Sequence, residues 1–265
     1  PVPEKKLGRV LSRFSHLTSD QQHLVERFAR GDGLVVCEGW AGTGKTTALA
    51  AVRELAESAG FKVVGFAPSG RASREVAGAG IDSQTLASRF YRSEVSESQM
   101  AAYRAHQHWR VLTRRKTFSF KAGERLTSRH LVVIDEGSMV STQDAARIFR
   151  QAAGAGARVL LVGDSNQLHH PVEASGAFKA LKSRFGAVRL SEVVRQRRPW
   201  MREVVKALYY GAPETALSIA AAEGALRICS NDEVARRVLI ERWERSRTED
   251  LSDTLIVAST NVEVR

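Results

Sequence analysis

Along this chain, short apolar runs alternate with stretches whose apolar positions recur every three or four residues. The runs are Leu34-Val35-Val36-Cys37, Phe61 to Phe66, Leu131-Val132-Val133-Ile134, Val159-Leu160-Leu161-Val162 and, shorter, Ala187 to Leu190. Continuous apolarity of that length is what a strand buried on both faces requires, and it predicts a parallel sheet. Between the runs, Leu24, Val25 and Phe28 form a stripe at helical spacing, as do Leu49, Val52, Leu55 and Ala59. Gly60 stops the second helix, and Thr18-Ser19-Asp20 supplies a cap for the first. Further helices are expected at about 142–153 and from Ser175, with shorter ones after Ala67 and opening at Gln84-Thr85-Leu86. Strands that alternate with helices give an α/β fold, a mostly parallel sheet with helices on both faces. Residues 1–16 read as a basic linker. Residues 197–252 read as a mainly helical extension with one short strand near Ala225–Ile228, and Asp253–Val257 as a strand that begins a second sheet.

The turn after the first run carries the strongest chemistry. Residues 39–46 read Gly-Trp-Ala-Gly-Thr-Gly-Lys-Thr, the G-x-x-x-x-G-K-[ST] spacing of a P-loop, between a strand and a helix as that loop requires. Its glycines let the backbone turn tightly, so that successive N–H groups face phosphate oxygens, and the helix N-terminus adds its positive dipole end. Lys45 supplies a charge for the β- and γ-phosphates, and Thr46 a hydroxyl for Mg²⁺. Gly39, Gly42, Thr43, Gly44, Lys45, Thr46 and Thr47 are therefore the candidate nucleotide-binding residues, with ATP and Mg²⁺ as cofactors. The alternative is an ordinary glycine-rich βα turn, and the flanking strand and helix argue against it.

Other polar groups stand at the C-terminal ends of the apolar runs, where open α/β sheets bind ligands. Ile134 is followed by Asp135 and Glu136: the first carboxylate suits Mg²⁺ and its water shell, the second suits a base for the attacking water. Ser69, Gly70 and Arg71 follow the second run and are placed to touch a partner. Gly163-Asp164-Ser165-Asn166-Gln167 follows the fourth, and Gln167 could meet the γ-phosphate or the attacking water. After the last run, Arg195 is the preferred candidate to neutralise charge on the γ-phosphoryl, although position leaves Arg197 and Arg198 open. Gln21, at the head of the helix before the P-loop, has an amide that could read adenine; a capped surface helix is the plainer reading. His169-His170 has no third ligand at metal spacing and reads as loop histidine.

Composition adds a partner. Lys and Arg outnumber Asp and Glu by 40 to 29, a net charge of +11, which favours a polyanion beyond the nucleotide. Seven of those eleven charges lie in residues 100–130, where Arg114, Arg115 and six other basic side chains face a single acid, Glu124. Tyr103, Trp109, Phe118 and Phe120 are interleaved there, which is the composition of a surface that tracks a single strand and stacks its bases. The alternative is a solvated basic insertion whose rings pack inward. Cys37 and Cys229 give neither a disulfide framework nor a metal site, so a reducing cytoplasm is expected. No run of eighteen apolar residues exists, and no membrane segment is expected.

Seven stretches match one family in order and spacing: LTSDQ (17–21), GWAGTGKTT (39–47), FAPSGRA (66–72), SQTLAS (83–88), VVIDEGSMV (132–140), VGDSNQL (162–168) and LSEVVRQ (190–196). On these the chain resembles the RecD-like branch of superfamily 1B DNA helicases, most closely the helicase part of conjugative relaxases of the TraI type (MobF class). The resemblance implies a first RecA-like motor domain over 17–196 with a basic insertion at about 100–130. It makes TLIVASTNVEVR (254–265) the opening of a truncated second motor domain, so that the chain is expected to be a fragment, acting as a monomer. It further implies that Gln21 recognises adenine, that Ser69 and Arg71 contact single-stranded DNA with Gln84 and Thr85 beside them, and that Gln167 and Arg195 sense the γ-phosphate. The implied activity is ATP-driven 5′→3′ movement on single-stranded DNA, unwinding plasmid DNA beside the remaining helicase and relaxase domains of a longer chain. Gly137 stands where the family more often has alanine, and is expected to loosen the turn. No relaxase site is visible: there is no histidine triad, and Tyr91, Tyr103, Tyr209 and Tyr210 have no metal site near them in sequence. A catalytically silent single-stranded DNA-binding or secretion-signal module is the other functional class; such modules decay at the P-loop and the acidic pair, and both are intact here.

Overall fold

The apolar runs become strands of one sheet in the computed structural model, which describes residues 1–94, 125–166, 176–246 and 256. The strands are β1 (Leu34–Gly39), β2 (Lys62–Ala67), β3 (Asp82–Thr85), β4 (His130–Ile134), β5 (Arg158–Gly163) and β6 (Val188–Leu190). Their spatial order is β3-β2-β4-β5-β1-β6, and every pairing is parallel. Helices α1 (Glu4–Arg13), α2 (Ser19–Ala29), α3 (Lys45–Ser58), α4 (Gly70–Gly78), α5 (Leu86–Glu94), α6 (Thr142–Ala155) and α7 (Ala177–Phe185) complete the first of two units, Pro1–Arg197.

Alternate residues of the central strands feed two cores. Val35, Cys37, Leu131, Val133, Leu160 and Val162 pack with Leu24 and Phe28 of α2 and Leu49, Val52 and Leu55 of α3. Val36, Val132, Ile134, Val159 and Leu161 pack on the other face with Phe90 of α5, Ile148 of α6 and Phe178 of α7. Strands buried on both faces in this way have no room for polar alternation, which is why they read as unbroken apolar runs. The order also sets the site. Strands β4, β5 and β1 lie side by side in the middle, so the loops that leave their C-terminal ends emerge next to one another.

Two stretches differ from the expectation. Residues 1–16 include a helix, not only a linker: Leu7, Val10, Leu11 and Phe14 recur at helical spacing and pack on the α2–α3 core, with Val10 buried. Burial of one such side chain stabilises by about 1.5–3 kcal/mol. Lys6 Nζ donates to Ser58 O at 2.6 Å and Arg13 pairs with Glu54 at 2.9 Å, so part of the basic character is spent holding α1 down. Gln84 and Thr85 do not open a helix; they end β3, paired with Phe66 and Ala67 of β2, and the helix begins at Leu86. The edge of β2 supplies backbone partners that the polar sequence Asp82-Ser83-Gln84-Thr85 does not advertise.

The second unit begins at Arg198 and carries α8 (Pro199–Tyr209), α9 (Pro213–Ala222) and α10 (Asp232–Ser246). Among its described residues Ala216 is the one buried hydrophobic side chain, while Leu208, Leu217 and Ile228 are exposed. Ala225–Ile228 forms no strand, because a strand needs a paired edge and none is present among the described residues of this unit. Asp253–Val257, apart from Ile256, and the basic insertion, apart from Arg125–His130, lie outside the described residues.

Candidate nucleotide-binding site

The loop between β1 and α3 is held open by its glycines and fixed by its neighbours. Gly42 and Gly44 have φ of +82° and +72°, a region that costs a side-chain-bearing residue about 1–2 kcal/mol. Thr43 is buried, and its hydroxyl donates to Trp40 O at 2.9 Å. From α2, Gln21 Nε2 donates to Thr43 O at 2.9 Å and to Gly44 O at 3.4 Å, while Gln21 Oε1 accepts from Thr18 N. Thr18 Oγ1 in turn accepts from Gln21 N, so the N-cap of α2 and the P-loop share one side chain. From the segment after β6, Val194 N and Arg195 N both donate to Gly42 O at 2.9 Å. Asp20 Oδ2 closes the frame by accepting from the backbone and hydroxyl of Ser191 at 2.9 and 2.8 Å.

Lys45, Thr46 and Thr47 form the first turn of α3. The Lys45 ammonium donates to Gly39 O at 3.1 Å and lies along the loop it would help to charge. Across from it, Asp135 leaves β4 buried, its N–H bonded to Phe66 O at 3.0 Å and its Oδ1 accepting from Glu136 N at 2.8 Å. Burial raises the Asp135 carboxyl above its ordinary value, while the Glu136 N–H and the Lys45 charge oppose that. Burial, then the charge of Asp135, raises Glu136 as well. Glu136 has φ +51°, the one positive φ among described non-glycine residues, and its Oε2 is buried with no hydrogen-bond partner among them. A strained backbone and a carboxylate oxygen left unsatisfied by the described residues are features that cluster at functional sites.

Gly137 does not loosen this turn. A Cβ there would lie 2.6 Å from Leu161 Cδ1 and 3.0 Å from Val162 O, so the absence of a side chain lets the 3-10 turn Gly137–Met139 press against β5.

These elements enclose a cavity of about 560 Å³, lined by residues 40–47, Ser69, Arg71, Ala72, Glu75, Asp135, Glu136, Met139, Val194 and Arg195. Of the three candidate arginines, Arg195 lines it, and Arg197 and Arg198 do not. Ser69 caps α4 through its Oγ, which accepts from Ala72 N at 3.2 Å, and Arg71 pairs with Glu75 at 3.4 Å on an exposed turn. Thr85 Oγ1 accepts from Ser88 N at 3.1 Å, and neither Gln84 nor Thr85 lines the cavity. Glu75 was not foreseen from sequence; nothing in its local pattern distinguishes it from an ordinary surface glutamate. Gln167, Trp109, Arg114 and Arg115 lie outside the described residues, as do His169 and His170.

The lining fits a nucleoside triphosphate with Mg²⁺: a glycine cradle and a lysine for phosphate, a hydroxyl at Thr46 and carboxylates at Asp135 and Glu136. No group of three or more His, Cys, Asp or Glu among the described residues is arranged to hold a metal alone. No helix among the described residues is long and apolar enough to cross a membrane.

Residues 16–231 match the family model described as an AAA domain. The conjugal transfer protein TraA of Agrobacterium fabrum (strain C58) is 33% identical over 262 residues, 98% of this chain and 21% of that protein. The multifunctional conjugation protein TraI of Escherichia coli K12 is 31% identical over 226 residues, 82% of this chain and 11% of that protein. The ATP-dependent RecD2 DNA helicase of Deinococcus radiodurans is 35% identical over 181 residues, 68% of this chain and 22% of that protein. The chain thus spans about a fifth or less of the length of these relatives.

Proposed function

Because the chain belongs to the AAA domain family, within its RecD-like group, we propose that it is the ATP-hydrolysing part of a motor that moves 5′→3′ on single-stranded DNA. Its proposed setting is a conjugative relaxase that unwinds plasmid DNA, beside further helicase and relaxase domains. The observation that carries the reading is the single cavity that gathers residues 40–47, Asp135, Glu136 and Arg195 at the C-terminal ends of β1 and β4. That set contains a group for each task of phosphoryl transfer to water.

In this reading the P-loop amides and Lys45 hold the phosphates, and Thr46 and Asp135 hold Mg²⁺. The metal, when bound, neutralises charge shared by the β- and γ-phosphates. Glu136 accepts the proton of the attacking water, a role that its unsatisfied Oε2 and raised proton affinity favour. Arg195, anchored by its own N–H to Gly42 O, reaches the γ-phosphate from the β6 side. Gln21 contributes to adenine recognition, Gln167 relays the state of the γ-phosphate, and Ser69 and Arg71, with Gln84 and Thr85 nearby, take the DNA backbone.

Binding of Mg·ADP to the 265-residue chain is the first test, and hydrolysis by the longer protein with and without single-stranded DNA is the second. The motor reading expects binding, slow hydrolysis by the chain alone, and DNA-stimulated hydrolysis in the longer protein. ATP turnover indifferent to DNA would point to a small-molecule kinase, and DNA binding with no nucleotide bound would point to a silent module.

A further inference from the structure

Glu38 is the one acidic residue in the apolar strand β1, one position before the P-loop begins, and it is 3% exposed. A carboxylate buried there requires partners. It shares the sheet face of Val36, on the side of α7, and Lys182 of α7 answers it: Nζ lies 2.6 Å from Glu38 Oε1. Arg189, opposite Glu38 in the β1–β6 register, adds a contact at 3.5 Å to Oε2. The Lys182 ammonium then donates a second bond, 3.0 Å long, to Ser165 Oγ in the loop that leaves β5. That loop carries Asp164, itself buried, whose Oδ1 accepts from Asn166 N at 3.0 Å. One cation therefore joins the strand that delivers the P-loop to the neighbouring loop at the sheet's ligand-binding edge, across 144 residues on one side and 17 on the other.

We propose that Lys182 is a positioning residue for the nucleotide site, its ammonium fixed by Glu38 and holding the Gly163–Asn166 loop in register with the P-loop. The inference rests on the reading of that site as a nucleotide site. A charge-assisted bond to a buried carboxylate is short and directional, so the ammonium's remaining donors are aimed, and Ser165 is held where β1 dictates. Nucleotide that orders the P-loop would then order the second loop through the tether. Burial opposes the charge on Glu38, yet the bonds from Lys182 and Ser165 and the charges of Lys182 and Arg189 hold its carboxyl below the ordinary range, as a permanently ionised anchor requires.

Hydrogen exchange on the whole chain tests this with two variants, Ser165→Ala, which removes the loop hydroxyl from both Lys182 and Glu38, and Glu38→Gln/Lys182→Met, which removes both charges so that neither is left without the other. Without nucleotide, residues 163–166 are expected to exchange about tenfold faster in both variants, with β4 unchanged. With Mg·ADP, the wild-type chain should gain protection in both 40–46 and 163–166, and the variants in 40–46 alone. Unchanged exchange at 163–166 in the nucleotide-free variants overturns the tether, as does nucleotide-induced protection there equal to wild type. A wild-type chain that does not bind Mg·ADP instead defeats the reading of the site, and the nucleotide-free comparison still decides the tether. Should the double variant not fold, Ser165→Ala carries the test.

Discussion

Lys45 and Glu136 line the same cavity, and if they act at the different stages proposed for them, their removal should separate binding from turnover. Lys45→Ala takes away a charge felt by bound phosphate, so the Kd for Mg·ATP should rise by tenfold or more, on the order of 1.4 kcal/mol. Glu136→Gln keeps shape and binding but cannot accept a proton; an equilibrium titration should find nucleotide bound and a single-turnover assay on the longer protein should find it uncleaved. Wild-type turnover in that variant would remove Glu136 from the role of base. Gln21 poses a different question, since both ends of its amide are already committed to Thr18 and to the P-loop carbonyls. Gln21→Ala should cost about 1–3 kcal/mol of stability by leaving buried groups unpaired. If the amide also reads adenine, ATP binding should weaken more than GTP binding; equal loss of the two would leave Gln21 as a clamp on the loop.

Among the elements, α7 looks unremarkable in sequence, yet it supplies the cation that lets β1 carry a carboxylate at its end. Lys182→Met alone leaves Glu38 with the Ser165 hydroxyl and the exposed Arg189, and breaking a buried pair from one side costs about 3–5 kcal/mol. The pH dependence follows from the lowered Glu38 carboxyl. A depressed folded value contributes stability that is full above the ordinary 4.5 and is lost as pH falls through the folded value. The gap in denaturant midpoint between wild type and Lys182→Met should therefore be widest near neutrality and narrow below pH 4.5. A constant gap from neutral to acid pH would mean that Lys182 stabilises by packing its stem and not by charge. Helix α2 has a similar double duty: its first turn gives Asp20 to Ser191 and Gln21 to the P-loop, so the helix that precedes the loop also braces the segment that follows β6.

At the scale of the whole molecule, the first unit holds both cores and every described residue that lines the cavity, while the described part of the second unit buries almost nothing. The charge balance is just as uneven, with most of the net +11 in residues 100–130. If that segment tracks phosphates, replacing Arg114, Arg115 and Lys116 with alanine should weaken single-stranded DNA binding and flatten its dependence on log salt by about two to three units. Trp109→Ala should instead cost roughly 1–3 kcal/mol with little change of slope, if its ring stacks on a base. Binding measured across a salt series distinguishes the two, and unchanged affinity in both variants would return the segment to a solvated insertion.

Local pattern was enough to place β1, β2, β4, β5 and β6, the helices around them, the P-loop and the Asp135–Glu136 pair, because burial on both faces and a phosphate cradle each impose a residue sequence over a few consecutive positions. Helix α1 was missed: its stripe Leu7, Val10, Leu11 and Phe14 has helical spacing, but four basic neighbours made residues 1–16 read as a linker. What only the tertiary structure decided are relations between distant residues. The partner of Gln21, the place of Arg195 in the cavity lining, the strand made of polar residues 82–85 and the bridge from Glu38 to Lys182 all depend on which elements lie side by side. Periodicity reports whether a position is buried, whereas a hydrogen bond or ion pair depends on what stands opposite, and the order β3-β2-β4-β5-β1-β6 arises only when the two faces of the sheet close over their cores.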